Sequence, residues 1–170
     1  SKNGKIMKKV KVLCSQSNHK EAAALLKEIN EAELETINEK KEYYYYKGIT
    51  SLVAFHNFSD ALFYFNLSND TQGEGYISIY DVLGLSGVSI AYSMNDEDEK
   101  ALVYTERTLN TLDEFVAEKK KKSDTNDIVR TYFNSAKIYS KMKNYEKAVS
   151  LSSMGIALQQ KRKNVAKRLS

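Results

Sequence analysis

The helical pattern of this chain is clearest in the segment YFNSAKIYSKMKNYEKAVSLSSMGIAL, which runs from Tyr132 to Leu158. Two segments with the apolar periodicity of amphipathic helices lie on either side of the short joint KMKN. Tyr139 stands before the joint and Ala148 stands nine residues later. A large residue late in the first helix then faces a small one early in the second, which lets the two backbones approach closely. The stretch therefore predicts a helical hairpin.

The same spacing of nine residues between a large residue and an alanine recurs upstream. The further pairs are Leu13 and Ala22, Leu52 and Ala61, and Tyr92 and Ala101. The four large residues are separated by 39, 40 and 47 positions (13 to 52, 52 to 92, 92 to 139). Self-similarity at a regular interval is the mark of a repeat architecture. We predict about eight helices in four pairs, which we number repeats 1 to 4.

The joints between paired helices contain polar residues that can accept hydrogen bonds from the first N–H groups of the second helix. The expected caps are Asn57 and Ser59 in repeat 2, Asn95 and Asp96 in repeat 3, and Asn144 in repeat 4. The first helix of repeat 4 is expected to start at Ser123, Asp124 or Asp127. In repeat 3, GLSGVS includes Gly84 and Gly87. Close helix packing is the favoured explanation of these glycines, and a ligand-admitting gap or a hinge is the alternative.

Composition favours a single all-α domain over residues 1–170. The chain of 170 residues contains no proline and only 7 glycines, whereas all-β proteins need frequent Gly/Pro turns. No apolar run is long enough for a membrane-spanning helix, and the first residues lack a signal-peptide pattern. The single cysteine, Cys14, cannot form an internal disulfide. These features fit a cytoplasmic protein.

The small–large–small pattern of repeat 4 resembles that of the tetratricopeptide repeats. Ala136, Tyr139, Ala148 and Gly155 stand at the positions where that family has its small residue, its tyrosine and its two later small residues. The resemblance implies a right-handed solenoid of helical hairpins. The intervals of 39 to 47 residues exceed the roughly 34 of the usual repeat, which implies longer helices.

With such intervals, the pattern is similar to the helical repeats of bacterial peptide-sensing regulators, the PlcR, Rgg and PrgX relatives. In that group a helix-turn-helix DNA-binding domain precedes the helical array. The resemblance implies that the DNA-binding domain is not present in this chain, which would then be a fragment of a longer protein. It also implies a role for Asn134, because the family commonly places a backbone-clamping asparagine there. The alternative for Asn134 is an ordinary hydrogen bond to a neighbouring helix or to water.

A solenoid binds ligands on the inner surface formed by the first helix of each pair. Asparagine pairs with an extended peptide backbone, basic groups suit a carboxylate, and tyrosine adds flat apolar area. Of the four consecutive tyrosines 43–46, Tyr46 is the one expected to be exposed. The predicted peptide-binding residues are Asn134, Arg130, Lys137, Phe133, Lys141, Tyr46, Lys47 and Thr50.

The sequence contains no motif for catalysis, a cofactor or a metal. His19 and His56 fall in different joints without partners at ligand spacing, and NDEDEK at Asn95 to Lys100 lacks the glycine and glutamate spacing of a calcium loop. No phosphate-binding loop or nucleophile elbow occurs. We therefore expect no enzyme activity, no cofactor and no metal site.

We predict a ligand-sensing regulatory domain of a bacterial transcription regulator, which binds a short peptide on its inner surface. A homodimer is one candidate assembly. The chain's contact with DNA would run only through the missing domain. The alternative is a generic adaptor or scaffold that holds a protein partner. A third interpretation is direct nucleic-acid binding through Lys119 to Lys122 and the basic C-terminal segment, given a net charge of +4.

Overall fold

The structure is a computed structural model, and it describes residues 1–73, 75–118 and 124–169. These residues form eight α-helices and no strand, which confirms the predicted all-α class. A short 3-10 turn, Glu31–Glu33, lies between α2 and α3. The helices are α1 (Lys2–Ser15), α2 (His19–Leu26), α3 (Ile37–Phe55), α4 (Phe58–Asp70), α5 (Ile79–Met94), α6 (Asp98–Ala117), α7 (Thr125–Lys141) and α8 (Tyr145–Leu169).

Each odd-numbered helix contacts the even-numbered helix that follows it, so the chain folds as four consecutive helix pairs. Each of α2, α4 and α6 also contacts the first helix of the next pair. The first helices contact one another as well, since α5 touches both α3 and α7. One hydrophobic core of buried side chains runs through these contacts, from Ile6 in α1 to Leu151 in α8.

The joints inside the four pairs share one backbone conformation. The residue four positions after the large residue of each repeat is left-handed: Ser17, His56, Asp96 and Lys143 have φ of 62°, 51°, 58° and 63°. A left-handed residue just beyond a helix lets the following N–H groups bond to the last free carbonyls. In repeat 4, for example, the Asn144 N–H donates to the Tyr139 carbonyl at 2.9 Å. The register read from the sequence is therefore confirmed at all four joints.

The small residue of each repeat is buried, as its spacing predicts. Ala22, Ala61 and Ala101 are 0% exposed, and Ala148 is 8% exposed. Each alanine lies early in the second helix of its pair, and its N–H donates to the carbonyl of the residue four positions earlier. A larger side chain would push the two helices of the pair apart.

The predicted helix caps are confirmed in two repeats and wrong in a third. The side chain of Asn57 accepts from the Asp60 N–H at 3.1 Å, and that of Asn144 accepts from the Lys147 N–H at 3.2 Å. Asn95 instead follows the last residue of α5, and α6 starts after Glu97, whose side chain forms no capping bond. The reason is that Asp96 takes the left-handed position of the joint. Ser59 lies inside α4.

The first helix of repeat 4 starts after Asp124, one of the three positions expected from the sequence. Ser123 and the run Lys119 to Lys122 lie outside the described residues.

The glycines of repeat 3 permit close helix packing, which confirms the favoured explanation. A Cβ atom on Gly87 would lie 2.6 Å from the ring of Phe65, and one on Gly84 would lie 2.2 Å from the side-chain oxygen of Asn69. Gly48 of α3 meets Phe65 at the same distance from the other side. The Phe65 ring of α4 is therefore held between two glycines, and it is 0% exposed.

A buried lysine links the second and third helix pairs. Lys41 is 5% exposed, and its ammonium group donates to the Ser68 carbonyl at 2.8 Å. It also pairs with the carboxylate of Asp81 at 2.8 Å. The Ser68 hydroxyl returns a hydrogen bond to the Lys41 carbonyl at 2.8 Å. Because every polar group in this set is paired, the cost of burying the charge is offset.

No helix among the described residues is both long and apolar enough to cross a bilayer.

Candidate functional site

Polar and aromatic side chains from the first helix of all four pairs come close together at one place. We call this group the convergent cluster. It consists of Lys11 and Cys14 from α1, Glu42, Tyr45 and Tyr46 from α3, Tyr80 from α5, and Asp127 and Arg130 from α7.

Glu42 connects three of these helices. Its carboxylate pairs with the Lys11 ammonium group at 2.6 Å, and it accepts a hydrogen bond from the Tyr80 hydroxyl. Tyr80 is buried, and its ring lies 5.7 Å from that of Tyr45 and 6.5 Å from that of Tyr46. The three tyrosines therefore form a packed aromatic layer, to which such ring contacts contribute beyond their buried area.

On α7, the guanidinium of Arg130 pairs with the carboxylate of Asp127 one turn earlier. Burial raises the pKa of the Asp127 carboxyl, while the charges of Arg130 and Lys11 act in the opposite direction. Burial also raises the pKa of the Tyr45 and Tyr46 hydroxyls, and Asp127 reinforces this shift while Arg130 opposes it. The tyrosines are therefore neutral hydrogen-bonding groups at neutral pH.

Cys14 is half-buried beside this group. Burial raises the pKa of its thiol to about 11, although the positive charge of Arg130 acts to lower it. Only the thiolate is an effective nucleophile, and the thiol of Cys14 is protonated at neutral pH. The cluster therefore provides polar binding groups rather than a reactive cysteine.

The exposed part of the convergent cluster is cationic. The side chains of Lys11 and Arg130 are 43% and 49% exposed, whereas Tyr45, Tyr46 and Tyr80 are at most 8% exposed. Two cations thus lie at the surface next to a buried layer of tyrosine rings. A guanidinium in this position can accept a carboxylate in a bidentate arrangement.

Four of the predicted binding residues lie on one face of α7, at spacings of four, three and four: Arg130, Asn134, Lys137 and Lys141. Asn134 is half-buried, and its side chain makes no hydrogen bond with the described residues, whereas Lys137 is exposed. Lys141 is engaged with the joint of repeat 3. Its ammonium group donates to the Ser93 carbonyl at 2.6 Å and pairs with Asp96 at 3.1 Å and Asp98 at 3.0 Å.

Two other predicted residues, Phe133 and Lys47, lie away from this face. The ring of Phe133 lies against Gly155 of α8, inside the fourth pair. The ammonium group of Lys47 lies over the rings of Tyr43 and Tyr64, at 5.3 and 4.9 Å from their centres. Lys47 is thus directed towards α4.

The expected exposure of Tyr46 is wrong. Tyr46 is 7% exposed, because its ring packs on Tyr45 and Tyr80 in the layer between α3 and α5. Thr50, one turn later, is 3% exposed, and its hydroxyl donates to the Tyr46 carbonyl at 2.8 Å. Of the four consecutive tyrosines, Tyr44 is the most exposed, and its hydroxyl donates to Glu31.

Sequence reasoning did not assign Asp127, Glu42, Tyr45 and Tyr80 to the site. A local signal existed for Asp127, because it precedes Arg130 by three positions in a helix, a spacing at which opposite charges pair. Glu42 and Tyr80 are 38 residues apart, and no local pattern indicates their contact.

Among the described residues, no group of three or more His, Cys, Asp or Glu side chains could hold a metal ion. No family model matches the chain, and no curated protein matches it significantly.

Proposed function

We propose that this chain is the ligand-sensing regulatory domain of a bacterial transcription regulator of the cytoplasm, and that it binds a short peptide on the inner surface of a right-handed tetratricopeptide-like solenoid. The repeated joints, the buried alanines and the contacts between successive first helices support the solenoid. The observation that carries the binding proposal is the convergent cluster, where the first helices of all four pairs meet. Exposed cations on α1 and α7 lie there beside buried tyrosines on α3 and α5.

In this proposal, Arg130 binds a carboxylate of the peptide, either the C-terminal group or an acidic side chain. In the free protein, Asp127 pairs with the same guanidinium. The ligand carboxylate replaces this internal partner, and the half-buried Asp127 carboxyl, with its raised pKa, takes up a proton more readily than an ordinary aspartate. Asn134, one turn further along the same face, supplies a donor and an acceptor to the peptide backbone.

Regulation then follows from the position of Arg130 and Asp127. Their charges act on Tyr45 and Tyr46 of α3, which pack on Tyr80 of α5. Exchange of the Arg130 partner therefore changes the interactions between repeats, and it favours one curvature of the array or one dimer arrangement over another. The shift in population is limited by the difference in ligand affinity between the two states.

The test uses a randomised library of short peptides selected on the full chain, with the strongest binder then studied by calorimetry. We expect amidation of the C-terminus or neutralisation of its acidic side chains to weaken binding. Arg130→Ala and Asn134→Ala should each weaken it by about tenfold or more, since a charge-assisted or bidentate contact contributes on this scale. Asn134 makes no hydrogen bond with the described residues, so Asn134→Ala should change thermal stability little. Arg130→Ala removes the cation that pairs with Asp127, so circular dichroism melting curves establish that this variant is folded at the temperature of the binding experiment.

Arg107→Ala is the matched control, because Arg107 is an exposed arginine on α6 that lies over the ring of Tyr104. It should leave peptide affinity unchanged. An Arg130→Ala protein that binds the selected peptide as tightly as the Arg107→Ala protein would refute the proposed role of the convergent cluster.

A further inference from the structure

The last helix exposes an apolar row along one face. Tyr145, Val149 and Ile156 are 60%, 65% and 58% exposed, and the half-buried Ser152 lies between them. Spacings of four, three and four residues place these four side chains together on α8. We call them the α8 row. A different face of α8 packs on α7 through Ala148, Leu151 and Gly155.

The repeat register shows what the same positions do in α4. Counted from the buried alanine, they are Phe58, Leu62, Phe65 and Asn69. These residues face α5: the ring of Phe58 lies 5.7 Å from that of Tyr92, Phe65 meets Gly87, and Asn69 meets Gly84. None of them is exposed. In repeat 2, this face is covered by the first helix of the next pair.

The same holds in α6, where the equivalent positions are Asp98, Leu102, Thr105 and Leu109. Asp98 pairs with Lys141 of α7 at 3.0 Å, and Thr105 is 0% exposed. The register positions that α8 exposes are therefore covered, in both α4 and α6, by the first helix of the next pair. The α8 row has the shape of a helix-binding face, and its side chains are more apolar than those of α6.

We propose that the α8 row is a docking site for an amphipathic helix of a partner protein, which lies antiparallel to α8 with acidic residues in its first turn and an aromatic residue in its last turn. Helices that follow one another across these contacts run in opposite directions, so the start of the docked helix lies near the C-terminal end of α8. Residues 161–169 of α8, KRKNVAKRL, contain five basic residues and no acidic one.

Tyr145 lies at the opposite end of the row, where the end of the docked helix comes close. The equivalent residue in α4, Phe58, makes a T-shaped contact with Tyr92 near the end of α5. An aromatic side chain in the last turn of the docked helix would make the same contact with Tyr145. The first helix of a pair also contacts the first helix of the pair before it, as α5 contacts α3 and α7 contacts α5. A helix docked on α8 would therefore also touch α7.

A second molecule of this protein suits the site less well. Its first helix, α1, carries five lysines and no acidic residue, so its start would be repelled by the basic end of α8.

The test uses a synthetic, fluorescently labelled amphipathic peptide of the length of α7, 17 residues, with glutamates in its first turn and a tyrosine in its last turn. We expect saturable binding to the full chain by fluorescence anisotropy. A peptide with lysines in place of the glutamates should bind about tenfold more weakly, and the difference should shrink as salt screens the charges.

Val149→Asp and Ile156→Asp should each raise the Kd of the acidic peptide about tenfold or more, because a charge replaces an apolar side chain of the α8 row. Val103→Asp is the matched control: Val103 is 55% exposed on α6, at a register position that faces no neighbouring helix. It should leave the Kd unchanged. Circular dichroism melting curves establish that all three variants are folded.

Three results would overturn the proposal. The first is an absence of saturable binding by the acidic peptide, and the second is an equal loss of affinity in the Val103→Asp and Ile156→Asp proteins. The third comes from sedimentation equilibrium of the chain alone: self-association that Ile156→Asp abolishes would assign the α8 row to a second molecule instead.

Discussion

Among single residues, Lys41 is one whose burial its sequence context does not indicate. It lies in NEKKEYYYYK, where charged neighbours suggest a solvated helix face. Its partners Ser68 and Asp81 belong to two other helices and are distant in sequence. The pattern of a single helix cannot specify such a contact, because it depends on how three helices come together.

Lys41→Met tests this contact. The substitution leaves the Asp81 carboxylate without its cation and the Ser68 carbonyl without a donor, so we expect the free energy of unfolding to fall by roughly 2–4 kcal/mol. The lower part of this range is favoured because the Asp81 side chain is 29% exposed and keeps some hydration. Urea unfolding monitored by circular dichroism measures the change.

Lys100→Met is its control, because the Lys100 side chain is 64% exposed and pairs with Glu97 one turn away. Exposed pairs of this kind contribute little, so a change of at most about 0.5 kcal/mol is expected. Equal losses in the two variants would show that burial does not distinguish the two lysines.

At the scale of the element, the helix joints were the best predicted part of the fold. The spacing of nine residues between a large residue and an alanine located all four pairs, because a tight turn constrains residues close in sequence. The individual caps were predicted less well. Asn95 resembled a cap, but Asp96 takes the left-handed conformation and α6 begins after Glu97, so Asn95 belongs to the end of α5.

The left-handed residues of the four joints are not glycine, so replacing one of them by glycine should stabilise the protein. Lys143 has a φ of 63°, a conformation that costs an L-residue roughly 1–2 kcal/mol and costs glycine much less. Lys143→Gly should therefore raise the free energy of unfolding by about 1 kcal/mol, as measured by urea unfolding.

The control is Ala157→Gly, at an exposed position in the middle of α8. Glycine in a helix interior should lower the stability by about 1 kcal/mol, so the two substitutions have opposite signs. A loss of stability in the Lys143→Gly protein would contradict the joint geometry.

At the scale of the whole molecule, the sequence indicated the helical class but only part of the candidate site. The face of α7 that carries Arg130 and Asn134 followed from helical periodicity. The environment of Tyr46 did not, since four consecutive tyrosines surround most of a helix and their burial depends on which neighbours arrive. Those neighbours include Tyr80, more than thirty residues away.

The buried tyrosine layer makes the free energy of unfolding depend on pH in the alkaline range. Burial raises the pKa of Tyr45, Tyr46 and Tyr80 above the value of about 10 in the unfolded chain. Because the folded state holds these protons more tightly, their contribution is complete below about pH 10 and is lost as the pH rises from there through the folded-state pKa values. The free energy of unfolding should therefore fall as the pH increases above about 10.

Tyr45→Phe measures this contribution, because phenylalanine keeps the ring contacts with Phe65 and Tyr80 but has no hydroxyl to ionise. Urea unfolding at about pH 8 and about pH 11 should show a smaller loss in this variant than in the wild type. Tyr76→Phe, at a residue 92% exposed, should show the wild-type loss. A Tyr45→Phe protein that loses as much stability as wild type would contradict the pKa shift of Tyr45.

The short joints between paired helices also have a consequence for folding kinetics. Helices within a pair are separated by only two or three residues, and the principal contacts link helices that are neighbours or next neighbours along the chain. Such contacts give the fold a low contact order, and they form with little loss of loop entropy. We therefore expect the chain to fold rapidly. Each hairpin is also a natural cooperative unit, whose amide protons exchange with solvent when that pair opens while the others remain folded.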